Sequence, residues 1–583
     1  MKDFLGSNQR DSSRPQKPTS KRKADPEARE VKGHEDSDHT DPSGDHDEEK
    51  YAFQDPLFPA PEDLAALIAV GARDGADGVS VDEPSAKPAV EDSKDGEDPA
   101  EPAAVYNLSA SVHITRAQRQ RIDAKWLRAH EIVSNPHVFI DGADPEDIRQ
   151  GDLETCYLLS ATSVVARAAE KIRKLFIVDE YNDYGLYGVM FFVDGEWRVV
   201  FVDDQFPCRA GDFAFAHSAT KGELWVSILE KCYAKLYNGY ENIIGGLVHE
   251  RLQNVLQLGS LKDLTGGSAD EITLDADNAA VYDGRLWSRL ITYHKQGTVD
   301  SIELSKGYMM GCGNPKGERT TRNFRVTNGI VQGHAYAILN IQEVEGNRLL
   351  QLKNPWGETE WEGDWGDNSS KWTQKLIEIL NFKPEADGIF WMSYEDFVFH
   401  FQKIYICRVF DHVIDLDPHQ GHVMMPVLPP DVEPWYRMRV QDEWSRKVGT
   451  AAGCPAFIDK GAMPELNPQY LLSTKGEKNA VVFLTLTQPT QLDAKKYLFC
   501  SLFVVEKDGL RVRTVKKKQL LSGKMTFSNN REIAVEVKLK PGMKYTVFAC
   551  TYQPNQESRF TITAYSHARL TLELIDPGMV GFD

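Results

Sequence analysis

Around residue 411 the apolar pattern of the chain changes its period, and that change bounds the folds open to it. From about residue 106 to 410, helical and extended patterns alternate. Residues 117–133, the apolar stretch 158–171 after Cys156, and residues 224–238 read as helices. Val189-Met190-Phe191-Phe192-Val193 and Trp197-Arg198-Val199-Val200-Phe201-Val202 read as a hairpin turning at Asp194-Gly195. Past residue 411 only short strands parted by turns remain, such as Ala480-Val481-Val482-Phe483-Leu484-Thr485-Leu486 and Ile533-Ala534-Val535-Glu536-Val537 ahead of Pro541-Gly542. The pattern predicts an α+β body followed by an all-β sandwich.

At 583 residues the chain is too long for one hydrophobic core. Residues 1–50 are Lys, Asp, Glu, Ser, Pro and His with almost no large apolar side chain, so they cannot offset their ordering entropy and read as a disordered tail. Lys21-Arg22-Lys23 is a solvated cluster or a weak nuclear signal. Residues 51–70 carry Phe53, Leu57 and Phe58, then Leu64, Leu67 and Ile68 at helical spacing, and read as a short ordered anchor; residues 71–105 return to a flexible insertion. A formal charge of −20 argues against nucleic acid as a partner, because phosphate binding needs a basic face. The eight cysteines are widely spaced, without a Cys-x-x-Cys pair, which suits reduced thiols. With neither an apolar leader nor a membrane span in the sequence, a cytoplasmic protein is expected.

Three strings carry chemistry. Cys156 ends Gln150-Gly151-Asp152-Leu153-Glu154-Thr155-Cys156 and precedes an apolar run, so it can sit at a helix start, where a thiol is most easily ionised. Gln150 in the loop before it can place an amide donor beside the Cys156 N–H as an oxyanion hole. His334 opens the apolar strand Ala335-Tyr336-Ala337-Ile338-Leu339, and a turn at Glu345-Gly346-Asn347 leads into a second strand ending near Asn354. Folding that hairpin brings Asn354 back to His334, where its carbonyl can fix the imidazole tautomer. A lone cysteine or histidine of this kind would be structural; the coincidence of the three points to nucleophile, base and orienting residue.

These strings resemble the calpain pattern Gln-Gly-x-Leu-x-x-Cys, Gly-His-Ala-Tyr and Asn-Pro-Trp-Gly-Glu-x-Glu-Trp, here Asn354-Pro355-Trp356-Gly357-Glu358-Thr359-Glu360-Trp361. The resemblance extends to Phe53-Gln54-Asp55-Pro56-Leu57-Phe58-Pro59 and runs from about residue 125 to 566. It implies an α+β papain-like peptidase core of two subdomains, 106–262 with Cys156 and 263–410 with His334 and Asn354. A C2-like sandwich over 411–572 and a tail over 573–583 follow. It also implies Ca2+ as cofactor at two sites. The first takes the carbonyls of Ile140 and Gly142 and the carboxylates of Asp147 and Glu223; the second takes Glu360, Asp367 and Asp387, with a backbone oxygen from Glu385. Trp356 falls near the cleft. Where calpains have Gly-Asp before the cysteine and Trp after it, this chain has Glu154-Thr155 and Tyr157, and Ile389 stands where the second site has another acid.

Two function classes follow from the resemblance. One is a calcium-dependent intracellular endopeptidase making limited cuts in protein substrates. The other is a calpain-shaped protein of little activity that works by binding, kept open by Glu154, Thr155 and Ile389. A transglutaminase is a weaker third reading, since its third residue is Asp and this chain has Asn354. Arg511, Arg513, Lys516, Lys517 and Lys518 are expected to meet an anionic membrane surface or to guard a strand edge. No helix-loop-helix calcium hand is found, so a hand-bearing small subunit is not expected.

Overall fold

The computed structural model describes residues 124–244, 252–275, 277–297, 307–314, 326–416, 432–491, 496–522 and 526–577. The expectations for residues 1–50, 51–70 and 71–105, including Lys21-Arg22-Lys23, lie outside the described residues, as does most of the tail.

The first half of the body is built around one buried helix. β1 (Ala124–Arg128) starts it, α1 (Cys156–Ala166) runs through its core, and the hairpin of β2 (Leu186–Val193) and β3 (Glu196–Asp203) lies beside α2 (Trp225–Leu236). Every residue of α1 is buried, as its apolar composition requires. The hairpin turns where its sequence placed it, with Asp194 and Gly195 at φ 55° and 87°, the left-handed pair that a tight two-residue turn demands. Two helix expectations need correction. Within residues 117–133, the described part is the strand β1 followed by a one-turn helix, Ala129–Ile132; β1 pairs antiparallel with residues 205–209 (Ala124↔Arg209 to Arg128↔Gln205), and that distant pairing overrides local helix preference. The stretch 158–171 divides into α1 and Ala169–Arg173, because the chain breaks at Arg167 and Ala168.

The second half is a sheet. α3 (Leu252–Thr265) leads to β4 (Ser268–Thr273), then β5 (Tyr308–Gly313), β6 (Ala335–Val344), β7 (Asn347–Lys353), β8 (Ile389–Ser393) and β9 (Lys403–Arg408). They form one six-stranded antiparallel sheet in the order β8-β7-β6-β5-β9-β4. Buried residues of β6, Ala335, Ala337 and Leu339, join the core around α1, while Tyr336, Ile338 and Ile341 join a second core on the sheet's other face. The period-2 pattern of β6 thus joins the two halves.

The remaining strands form two facing sheets. β10 (Val413–Asp415), β11 (Trp435–Trp444), β12 (Gln469–Thr474), β13 (Ala480–Thr487), β14 (Cys500–Val505), β15 (Glu532–Leu539), β16 (Tyr545–Thr551), β17 (Ser558–Ser566) and β18 (Leu570–Leu574) assemble as β10-β11-β17-β13-β15 and β14-β16-β12-β18. Alternate residues of both sheets, Val482, Leu484 and Leu486 on one and Leu502, Val504 and Val547 on the other, share one core, so the architecture is a β-sandwich. Arg511 corrects the reading of the basic run. It is buried, and its guanidinium donates to the carbonyls of Glu465, Asn467 and Ile575 at 3.1, 2.9 and 2.8 Å. It closes a loop from within and has no surface to offer a lipid, whereas Arg513, Lys516, Lys517 and Lys518 are exposed. Among the described residues no helix is long and apolar enough to cross a membrane.

Candidate active site

The loop before α1 is pressed against its neighbours. A Cβ on Gly151 would lie 2.3 Å from the Ala214 carbonyl oxygen, so only glycine lets the chain pass there. The Gln150 N–H donates to the Pro355 carbonyl at 2.9 Å, linking this loop to the one that follows β7. The Gln150 side-chain amide donates to the Leu153 carbonyl at 2.9 Å, which engages the donor predicted for the oxyanion hole. The next residues lead into α1, with Cys156 as its first residue.

His334 and Asn354 meet as the hairpin predicts. Pairing of Ala337 with Lys353 sets the register, and His334 Nε2 lies 2.8 Å from Asn354 Oδ1. Asn354 is buried and has every group used: its amide donates to the carbonyls of Glu358 and Thr359 at 2.8 and 3.0 Å, and Oδ1 also accepts the Trp356 N–H at 3.1 Å. The amide hydrogens cannot face the imidazole, so Nε2 must carry the proton and Nδ1 the lone pair. The Trp356 ring packs against His334 with centroids 4.7 Å apart, and the Asn314 side chain accepts the His334 N–H at 2.9 Å.

The sulfur and the imidazole are both neutral in this arrangement. Burial pushes the Cys156 thiol up to about 12, and Glu154 adds to the rise; the N–H groups of Ala335, Tyr157 and Cys156 face the sulfur and oppose it. Burial likewise lowers His334 to about 4, against the bond from Asn354. Cys156 and His334 are only 6% and 4% exposed, so desolvation dominates both.

Flanking the cleft are the acids of the two candidate cation sites. In the first, Glu223 accepts from the Ile140 N–H at 2.7 Å and the Ser218 hydroxyl at 2.6 Å, while Asp147 accepts from the Asp144 N–H at 2.8 Å and the Thr220 hydroxyl at 3.1 Å. Burial pushes Glu223 up to about 7 and raises Asp147, with Asp147 adding to the rise at Glu223. Gly142 turns the loop at φ 101°. In the second, burial and then the charges of Glu360 and Asp387 push Asp367 up to about 7, and Asp367 Oδ1 is buried without a hydrogen-bond partner. Glu360 Oε1 accepts the Gly388 N–H at 2.7 Å, Asp387 accepts the Ile389 N–H at 2.7 Å, and the Glu385 carbonyl takes the Asp387 N–H at 2.9 Å. Clustered carboxylates, with Glu223 and Asp367 raised by burial and by neighbouring acids and one Asp367 oxygen orphaned, fit a hard divalent cation in charge and donor type. Among the described residues, however, no three acidic, His or Cys side chains converge as a ready cage. Ile389 turns its half-buried side chain to the core around α1.

Two residues beside the nucleophile were not singled out by sequence. Glu230 on α2 is buried and accepts the Thr155 hydroxyl at 2.6 Å. Gln257 on α3 donates to Ser160 of α1 at 2.6 Å and to the Tyr336 carbonyl of β6 at 3.2 Å, tying the two halves. The only signal for either was a polar residue beside leucines in a helical stretch of the sequence.

Comparison with known proteins agrees with this geometry. The family model described as calpain family cysteine protease matches residues 94–408, and that of calpain large subunit, domain III matches residues 440–565. The chain is 34% identical over 483 residues to the calpain-type cysteine protease ADL1 of Oryza sativa subsp. japonica and to the calpain-type cysteine protease DEK1 of Zea mays, covering 78% of this chain and 20% of each relative. It is 28% identical over 511 residues to Calpain-A of Drosophila melanogaster, covering 82% of this chain and 56% of that protein. The chain thus spans about a fifth of the plant relatives and just over half of the fly one. It belongs to the calpain family of cysteine proteases.

Proposed function

We propose that the chain is a calcium-dependent intracellular endopeptidase with a papain-like two-subdomain core and a C2-like sandwich, making limited cuts in protein substrates by acyl transfer. Asn354 is the observation that carries it. A fully engaged amide that can only present its oxygen to Nε2 of His334 leaves Nδ1 as the base toward the cleft, which is the tautomer a cysteine nucleophile needs. In the proposed reaction His334 takes the Cys156 proton and the thiolate attacks the peptide carbonyl. The Cys156 N–H, joined by Gln150 once its amide leaves the Leu153 carbonyl, holds the oxyanion. His334 then protonates the leaving amine, and water releases the acyl group. Calcium, held by Asp147 and Glu223 and by Glu360, Asp367 and Asp387, supplies positive charge to acids that otherwise repel.

The neutral, nearly buried state of Cys156 and His334 favours a second reading, a binding protein of little activity. A thiol-directed epoxide, applied with calcium and with chelator, separates the two. Wild-type chain should take the label at Cys156 in calcium and far less in chelator, and Cys156→Ala should lose both label and casein cleavage with its fold intact. Asn354→Ala should lose less, since it acts through imidazole orientation. Casein cleavage undiminished in Cys156→Ala would sink the assignment.

A further inference from the structure

α1 is an 11-residue helix whose N-cap, Thr155, makes no capping bond. Threonine in that place ordinarily turns its oxygen back onto an N–H of the first turn, and does so from an extended backbone. Here the Thr155 backbone is not extended, at φ −106° and ψ 23°, and its hydroxyl is donated elsewhere, to Glu230 Oε1 at 2.6 Å. The other carboxylate oxygen of Glu230 accepts the Ala216 N–H at 2.9 Å, so the acid is gripped from both sides. Thr155 and Glu230 are 0% and 1% exposed, which shields the bond from competing water. The N–H groups of Cys156 and Tyr157 face the Cys156 sulfur. A carboxylate at position 155, as the calpain pattern has, would stand against Glu230; threonine supplies the hydrogen that Glu230 needs.

We infer that Glu230 is a positioning residue of the peptidase reaction: by holding the Thr155 hydroxyl it keeps Thr155 from capping α1, so the first-turn N–H groups stay directed at the sulfur and at the oxyanion that forms beside it. This rests on the cysteine-peptidase reading. Freed of Glu230, Thr155 rotates toward the extended conformation, its oxygen captures a first-turn N–H, and the Cys156 amide is re-aimed. The thiolate loses a donor, and the thiol ionises at higher pH. Tyr157 and Tyr240 are the titratable neighbours of Glu230, and Tyr157 is held by the Ile243 carbonyl at 2.8 Å.

The test uses the full chain in calcium and reads epoxide inactivation against pH, with the label located by mass spectrometry. Glu230→Leu, which leaves Thr155 no hydrogen-bonding partner at position 230, should slow inactivation at neutral pH about tenfold, the effect of a weakened oxyanion or thiolate donor, and move the profile to higher pH with KM for a peptide substrate unchanged. Removing the freed hydroxyl as well, in Thr155→Val/Glu230→Leu, should recover most of the loss, a non-additivity that a merely structural role would not give. Glu230→Asp draws the carboxylate back by one methylene and carries the same expectation if the leucine variant does not fold. A wild-type rate and profile in Glu230→Leu, or a double variant as slow as the single one, overturns the inference. Hydrogen exchange of the peptide spanning residues 153–158 decides it independently of reactivity. Glu230→Leu should protect a first-turn amide and the double variant should release it; identical exchange in all three chains overturns it. If wild-type chain takes no label, the peptidase reading fails while exchange still judges the role of Glu230.

Discussion

Two charged neighbourhoods of this molecule are built in opposite ways. Where α3 meets the sandwich, each charge has an opposite partner. Lys262 pairs with Glu532, and Arg531 with Asp263, all at most 8% exposed. The neighbours complete the set: Tyr237 and Tyr233 donate to Asp263 at 2.7 and 3.0 Å, and the Ala269 N–H donates to Glu532 at 3.1 Å. In the two candidate cation clusters the arrangement is reversed: burial and then Asp147 raise Glu223, and burial and then Glu360 and Asp387 raise Asp367. The first neighbourhood pairs its acids and bases, although burial and then the Arg531 charge lower Lys262 to about 7, and it ties the peptidase body to the sandwich. On the proposed calcium-dependent reading the second is completed by a cation and would report whether one is bound.

The largest break in this comparison should come from Asp263→Ala. It strips Arg531 of its partner inside the protein, and leaving a buried charge uncompensated costs about 3–5 kcal/mol. Denaturant unfolding of the variant, with calcium and with chelator, should show that loss in both. A variant as stable as wild type would mean that the buried pair does not hold the two regions together.

A smaller effect, of opposite meaning, is expected at the like-charged clusters. Glu223 and Asp367, raised to about 7, hold protons more tightly in the folded chain than in the unfolded one. Their contribution to stability is therefore full below the unfolded carboxylate range and is lost as pH rises toward 7. Calcium competes for the same oxygens, so its stabilisation should grow over that window, reaching about 2.7 kcal/mol at a hundredfold excess over Kd. Melting curves at about pH 5.5 and 7.5, each with calcium and with chelator, test this. A calcium shift equal at both would show that these acids are not the ligands.

How much of this could be read beforehand depended on distance along the chain. His334 and Asn354 were legible because one hairpin sets their register, and Cys156 because its helix starts beside it. The strand Ala124–Arg128 was not, since its partner lies some 80 residues away and its composition suits a helix equally. Arg511 looked like part of a basic surface because its neighbours are; only the carbonyls of Glu465, Asn467 and Ile575 show that it points inward. Thr155 read as a departure from the family pattern until Glu230, brought in by α2, supplied its acceptor.

The smallest effect sharpens the comparison most, because its sign differs between the two neighbourhoods. Asp367→Asn removes one of three like charges and gives the orphaned position an amide that can donate to Glu360 or Asp387. In chelator the variant should be more stable than wild type, by about 1 kcal/mol or less, the range for partly exposed charges. In calcium the order should reverse, since a ligand has been lost and affinity follows carboxylate count. No such reversal is possible at Asp263, where the partner is a fixed guanidinium and any neutral substitution destabilises under both conditions. Parallel melting curves of Asp367→Asn and wild type in chelator and in calcium therefore discriminate. A variant less stable in both would place Asp367 among the structural acids of the fold and leave the second cluster without its role as a cation site.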